Sequence, residues 1–254
     1  MTTAQDEREG VDTRGAALFA RYAVAPNELG FCGPPTAGAL RRGSAAEIRA
    51  AAERFSGAWP YLTVLARLTG LDDPLDHRVV EAYWLGGGVG ADLDPRAFGI
   101  ELLAVIGPQA GHYWAHLTED LLDEVAPNHA FHVLGVYPWS RLLGRGADEH
   151  AVGVLDSCRI SWGTVTAVDD EQLEVSRAPL VFDGRSLTLG EPTPTRVRAQ
   201  PDDPIAIADL AVGDRVALHW NRLCDRLEPT QVTTLEDTTR RQLHLTNRRI
   251  RRSG

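Results

Sequence analysis

The sequence predicts an α+β fold: a helical N-terminal domain over residues 1–150, then a small OB-like β-barrel over residues 151–254. Three observations predict it. Apolar residues recur at helical spacing between capping signals through the first half. That half carries no alternating strand pattern. From Val154 onward the chain breaks into short, β-branched runs separated by turn residues.

Taken in order, Arg14 to Ala23 is a short amphipathic helix stopped by Pro26. Residues 27–36 form a Gly- and Pro-rich loop that holds Cys32. Ser44-Ala45-Ala46-Glu47 has the form of a capping box, and the Ala-rich helix it starts runs to near Gly57. Pro60 sits where a first helical turn tolerates it, and Tyr61 to Leu68 repeats apolar residues at helical spacing. Asp76 begins a helix through Val79, Val80, Tyr83 and Trp84, which Gly86-Gly87-Gly88 ends. Pro95 to Val105 and Gly111 to Val125 are the next two helices. The glycine run at 86–90 is a helix terminator and not a phosphate loop, because it follows a helix and brings no Lys. Val133 to Trp139 is apolar and is expected to pack the two halves together, with a ligand pocket as the alternative.

In the second half, Ile160 to Val168 alternates and is β-branched. Leu173 to Val175, Leu180 to Phe182, Leu187 to Leu189 and Thr195 to Ala199 follow, with Asp183-Gly184 as a hairpin turn. Ala211 to Trp220 is a late strand. So many short strands suggest a closed or half-closed barrel, which hides strand edges. The tail from Arg240 to Arg252 is basic. It reads as solvated chain, with docking to an acidic partner surface as the alternative.

Composition excludes several classes. Net charge is −9 over 254 residues, which argues against nucleic-acid binding through a basic surface. No run approaches the ~20 apolar residues of a membrane span. The polar, acidic start lacks the features of a signal peptide, so a cytoplasmic location is expected. Three cysteines are too few for a disulfide scaffold.

Two groups of residues carry candidate chemistry. His112 and His116 share a helix face, with His129 and His132 beyond Pro127 and Glu119, Asp120 and Glu124 nearby. Such imidazoles can hold a divalent metal completed by a carboxylate; packed or capping histidines are the plainer reading. The second group opens with Cys158 and closes with His219, the two ends of the β segment. They meet if that segment closes on itself. Cys224 adds a sulfur if the turn after His219 brings it round.

Cys158 with Trp162-Gly163-Thr164-Val165, and Val212-Gly213-Asp214 with Val216, Leu218 and His219, resemble the opening and closing motifs of the HypC/HupF family of [NiFe]-hydrogenase maturation chaperones. Leu227-Glu228 falls where that family's helix begins. The resemblance implies a HypC-like barrel and a chaperone without turnover. It implies that Cys158 and His219 serve a transient iron cargo, Fe(CN)2(CO), assembled with a HypD-like protein and passed to the hydrogenase large-subunit precursor. The resemblance covers the second half alone. Cys158 is internal where the family's cysteine is N-terminal, the stretch from Arg177 to Pro204 is an addition, and the helical half is foreign to the family. The chain therefore reads as a fused relative. A thiolate suits iron bearing carbonyl and cyanide, and imidazole suits iron as well. Two alternatives stand beside this reading: a metal-dependent enzyme built on His112, His116, His129 and His132, and a non-catalytic adaptor.

Overall fold

Local caps fix most helices of the first half. The computed structural model describes residues 12–109, 119–169, 171–198 and 207–253. Helix α1 (Arg14–Glu28) runs through Pro26 and is not stopped by it. A proline in the last turn removes a single intrahelical bond, the one its missing N–H would give the carbonyl of Tyr22. After α2 (Ala37–Arg42), Ser44 and Glu47 close the expected capping box on α3 (Ala45–Ala52), which ends short of Gly57. Pro60 lies in the first turn of α4 (Trp59–Thr69). Asp76 caps α5 (His77–Leu85) by accepting the Arg78 N–H. Gly86 and Gly87 then take positive φ values of 82° and 68°. A Cβ at either would lie 2.5 Å from a threonine methyl of the C-terminal helix, so these glycines both end α5 and admit its neighbour.

Helix α6 (Pro95–Ile106) is capped by Asp94. Of the helix expected over 111–125, residues 110–118 lie outside the described residues, and Glu119–Asp123 is a 3-10 turn. Asn128 caps the single turn α7 (His129–Phe131), which passes directly into a π-helical turn, His132–Val136. Such π turns are rare and concentrate at functional sites.

Helix α8 (Asp148–Cys158) corrects the sequence reading, which began the β segment at Val154 and put Cys158 at its opening. Ala151, Leu155 and Cys158 form a buried stripe at helical spacing, with Asp148 and Glu149 in the favourable first turn. The boundary drawn at 150/151 falls inside this helix. The strands then follow: β1 (Ser161–Val168), β2 (Gln172–Arg177), β3 (Leu180–Phe182), β4 (Leu187–Leu189), β5 (Thr193–Arg198), β6 (Arg215–His219) and β7 (Arg222–Arg226). All pair antiparallel. The five-stranded sheet has the order β5-β2-β1-β6-β7, and β3-β4 form a separate hairpin turning at Asp183-Gly184.

The expected closed barrel is not formed: no ladder among the described residues joins the edge strands β5 and β7. The sheet does curl, bringing parts of these edges within 8 Å between Cα atoms. Strand β7 was not anticipated. It follows a two-residue turn at Trp220-Asn221, both at positive φ (51° and 54°), as a type I′ hairpin requires.

The basic tail is also corrected. Residues Pro229–Ser253 form one helix, α9, starting directly after Leu227-Glu228. Leu235, Thr239, Gln242, Leu243, Thr246 and Asn247 are its buried stripe. Asn247 exchanges hydrogen bonds with the backbone of Leu187 in β4, at 2.8 Å each way. One hydrophobic cluster crosses between the halves, joining Phe19, Leu62 and Trp84 to Ile160, Ala217, Leu227 and Leu235. As expected, the 133–139 segment packs between them, with Val136 in this cluster and Leu134 in another shared with α8, β3, β4 and α9. No described helix is long and apolar enough to cross a membrane.

Candidate metal centre

The two ends of the β segment meet without a barrel. The β1–β6 ladder pairs Ser161 with Leu218, so the residue closing β6, His219, returns beside the C-terminus of α8. There Cys158, His219 and His129 each present one ligand atom, all within 4.8 Å of one another, and all three residues are buried. The imidazole rings of His129 and His219 lie edge to face at 5.2 Å, and His132 stacks on His129 at 5.7 Å.

Backbone groups left without helical partners orient the site. The last four carbonyls of an α-helix lack intrahelical donors. At the end of α8, the Ser157 carbonyl takes the backbone N–H of Trp220 at 2.8 Å. The Cys158 carbonyl lies 3.0 Å from Nε2 of His129. A carbonyl only accepts, so this nitrogen carries the proton. The other nitrogen of His129, Nδ1, then accepts the hydroxyl of Tyr83 at 3.1 Å. The same logic fixes His219: its Nδ1 donates to the Tyr22 carbonyl at 2.7 Å. That is the carbonyl freed by Pro26. Nε2 of His219 therefore carries the lone pair; it is buried and makes no hydrogen bond of good geometry among the described residues, with the Cys158 backbone close by.

The centre thus has one ready ligand atom and two latent ones. Nε2 of His219 is ready, and Sγ of Cys158 ligates only once its thiol proton leaves. His129 must give up one of its two hydrogen bonds to ligate. A ring nitrogen donating to a backbone carbonyl while the other faces the metal is the usual outer-shell pattern of ligating histidine. Burial holds all of these groups neutral. Desolvation lowers His219 to about 4, opposed by its bond to Tyr22 and by the Cys158 backbone. His132 is likewise lowered to about 4, by burial and then the neighbouring His219. His129 goes well below its ordinary value for the same reasons. Burial drives the Cys158 thiol far up, with a nearby Cys32 adding to it and the Trp220 side chain working against it.

These residues line a cavity of about 400 Å³. Its walls are aromatic and thiol-bearing, including Tyr61, Tyr83, Trp84, Tyr137 and Cys32, and no Asp, Glu, Lys or Arg lines it among the described residues. Besides His219, four lining residues bury polar atoms without a hydrogen-bond partner of good geometry among the described residues: Tyr61 (Oη), Trp84 (Nε1), His132 (Nδ1) and Trp220 (Nε1). Gly57 makes room for His132, since a Cβ there would stand 2.9 Å from its Nε2. At the rim, Phe31 is 53% exposed and stacks on Trp220 with ring centroids 3.9 Å apart.

The sequence-predicted residues divide as follows. Cys158 and His219 come together, and His129 joins them from the other histidine group. His132 lines the cavity just outside the three. Cys224 does not take part: the two-residue turn returns β7 alongside β6, and its side chain packs in the inter-half core, away from the cavity. His112 and His116 lie outside the described residues, as do the side chains of Glu119 and Asp120. Glu124 completes no metal shell, because Arg249 of α9 takes it at 2.5 Å. Sequence reasoning missed Tyr83, which holds His129, and Trp220. A tyrosine at helical spacing among apolar residues gives no sign of its hydroxyl's partner, whereas the tryptophan at the end of β6 was visible as a strand end.

The model of a family of unknown function, DUF6390, matches residues 11–253. No curated protein and no solved structure matches the chain.

Proposed function

The chain belongs to the DUF6390 family, and from its buried centre we propose that it is a cytoplasmic metallocentre-assembly chaperone. In this reading it holds an iron cargo, Fe(CN)2(CO), at Cys158 and His219 for a [NiFe]-hydrogenase large-subunit precursor, in exchange with a HypD-like maturation protein. The observation that carries the reading is the convergence of Cys158, His219 and His129 within 4.8 Å on the wall of an uncharged cavity.

Charge supports this cargo. An isolated charge in an apolar cavity is costly. Dicyano-carbonyl iron(II) is neutral, because two cyanides cancel the metal, so it brings no charge into the cavity beyond that of the Cys158 thiolate. Thiolate and imidazole are apt donors to such iron. Tyr61 and Trp84 supply buried O–H and N–H groups on lining residues, suited to cyanide nitrogens. The latent state of His129 suits a cargo that has to leave. Of the HypC-like features, Val212-Gly213-Asp214 leads into β6 and His219 closes it, on a curled antiparallel sheet followed by a helix, while Cys158 meets them from the end of α8; their meeting favours the same family of roles.

The test is to co-express the chain with hydrogenase maturation proteins, purify it without oxygen, and record the infrared cyanide and carbonyl stretching bands. Bands present in the wild type and lost in Cys158→Ala and His219→Ala are expected. Absence of bands in the wild type overturns the iron-unit reading. A second reading, a metal-dependent enzyme, draws on the three imidazoles of His129, His132 and His219 beside space larger than an ion. Tightly held stoichiometric metal without those bands would favour it.

A further inference from the structure

The cavity carries a second thiol that the proposed centre does not use. Cys32 lines the same cavity as Cys158 but is not among the residues whose ligand atoms converge. It is half-buried, while Cys158 is only 6% exposed. Its neighbour Phe31 forms the exposed rim with Trp220. Cys32 therefore lies on the solvent side of the centre.

Its position is built. The backbone N–H groups of Phe31 and Cys32 both donate to the carbonyl of Pro26, at 2.9 and 3.3 Å. The Asn27 amide donates to the carbonyls of Cys32 and Pro34, at 2.8 and 2.5 Å. The loop is thus tied to the end of α1, the helix whose Tyr22 carbonyl orients His219. Tyr137 lines the same cavity as both thiols. Its hydroxyl hydrogen-bonds Cys32, and it lies near enough to both cysteines for each to push its ionisation upward. The ring of His132 is 4.4 Å from that of Tyr137. His132 is 4% exposed, lines the same cavity, and its Nδ1 has no protein partner among the described residues. A thiol and a buried imidazole nitrogen on the same cavity wall are further metal donors outside the converging three.

We propose that Cys32, assisted by His132, is the exchange ligand through which a thiophilic metal enters and leaves the His129–Cys158–His219 centre. This rests on the metal-centre reading above. In the exchange, the metal–sulfur bond to Cys158 breaks as one to Cys32 forms. The proton that Cys32 loses goes to the Cys158 sulfur, with the Tyr137 hydroxyl placed to relay it. No electron moves and the metal keeps its oxidation state. The ion passes from thiolate to thiolate and is never left unpaired in an uncharged cavity.

Cobalt(II) is the probe, since its thiolate absorption reports sulfur ligation directly. The full-length wild type, Cys32→Ser, Tyr137→Phe and Cys158→Ser are loaded without oxygen, and release to excess EDTA is timed. Cys32→Ser is expected to bind the same amount of cobalt and to release it on the order of ten-fold more slowly, a barrier higher by one such factor. An unchanged release rate overturns the proposal. So does loss of binding in a folded Cys32→Ser, which would make Cys32 a resident ligand. Should Cys32→Ser fail to fold, Tyr137→Phe, which keeps both thiols, decides: slowed release supports the exchange and unchanged release overturns it. If the wild type binds no cobalt, or Cys158→Ser binds it with an unchanged spectrum, the metal-centre reading itself has failed, before any release is timed.

Discussion

His219 donates its Nδ1 proton to the carbonyl of Tyr22, 2.7 Å away, and Pro26 is the reason that carbonyl is free. An ordinary residue at position 26 would offer its own N–H to the same oxygen. The proline thus sets the tautomer of a histidine nearly two hundred residues away and turns its Nε2 lone pair toward Cys158 and His129. In Pro26→Ala the helix is expected to reclaim the carbonyl. Cobalt(II) affinity should fall by roughly ten-fold, the usual effect of losing an outer-shell partner, with helix content preserved. A titration showing wild-type affinity would break the link between the two residues.

Acid should destabilise the metal-free protein. The folded-state values of His132 and His219, each about 4, lie below the ordinary 6.5 of histidine, so folding favours the neutral rings. Their contribution is complete above pH 6.5 and is lost as pH falls from there toward 4. Each histidine accounts for up to about 3 kcal/mol over that window, and His129 is shifted in the same direction. Urea unfolding at pH 7.5 and at pH 5 measures this. Equal stability at the two values would mean that the imidazoles are not held neutral.

Gly57 should not tolerate a side chain. A methyl there meets Nε2 of His132 at 2.9 Å, and His132 is wedged between Tyr61 and Tyr137 at ring distances of 5.4 and 4.4 Å. Gly57→Ala is expected to cost about 1–3 kcal/mol, the usual range for overpacking. Thermal unfolding monitored by circular dichroism reads the loss, and an unchanged midpoint would show that His132 has room to move.

Arg249 and Glu124 fasten α9 to the segment that carries the histidines. Arg249 also donates to the Leu134 carbonyl at 2.9 Å and to Ser140 at 3.1 Å. Arg249→Ala leaves a buried carboxylate and should cost about 3 kcal/mol or more. The double variant Glu124→Gln, Arg249→Met should recover much of that loss. Denaturant midpoints of the three proteins decide it, and a double variant no better than Arg249→Ala would place the cost in packing.

Features written within a few residues of one another were legible. The Ser44–Glu47 box, the Asp76 cap, the glycines closing α5 and the Asp183-Gly184 hairpin all follow from local chemistry. Helix α9 was hidden because its buried stripe is largely polar: Thr239, Gln242, Thr246 and Asn247 interrupt the apolar period that marks a helix. Strand β7 was hidden because Arg222, Asp225 and Arg226 leave only Leu223 and Cys224 to signal it, and its turn is Trp-Asn, not Asn-Gly. The meeting of Cys158 and His219 was expected for a closed barrel, but it comes from one antiparallel ladder beginning just after α8. His129 was named beside His112 and His116, whereas its buried partners come from α5, α8 and β6. Long-range pairing of that kind leaves no local pattern in a sequence.

The crossing of the core between the two halves has a consequence for timing. During synthesis α1 emerges early, yet its free Tyr22 carbonyl waits for a histidine 197 positions later, and the α5 glycines wait for threonines of α9. Contacts so distant along the chain close slowly. Until they close, Cys158 is an accessible thiol with no imidazole beside it. On the proposed reading, metal acquisition is therefore an event of the finished molecule, and a ribosome-bound or truncated chain has the cysteine without the three converging ligand atoms.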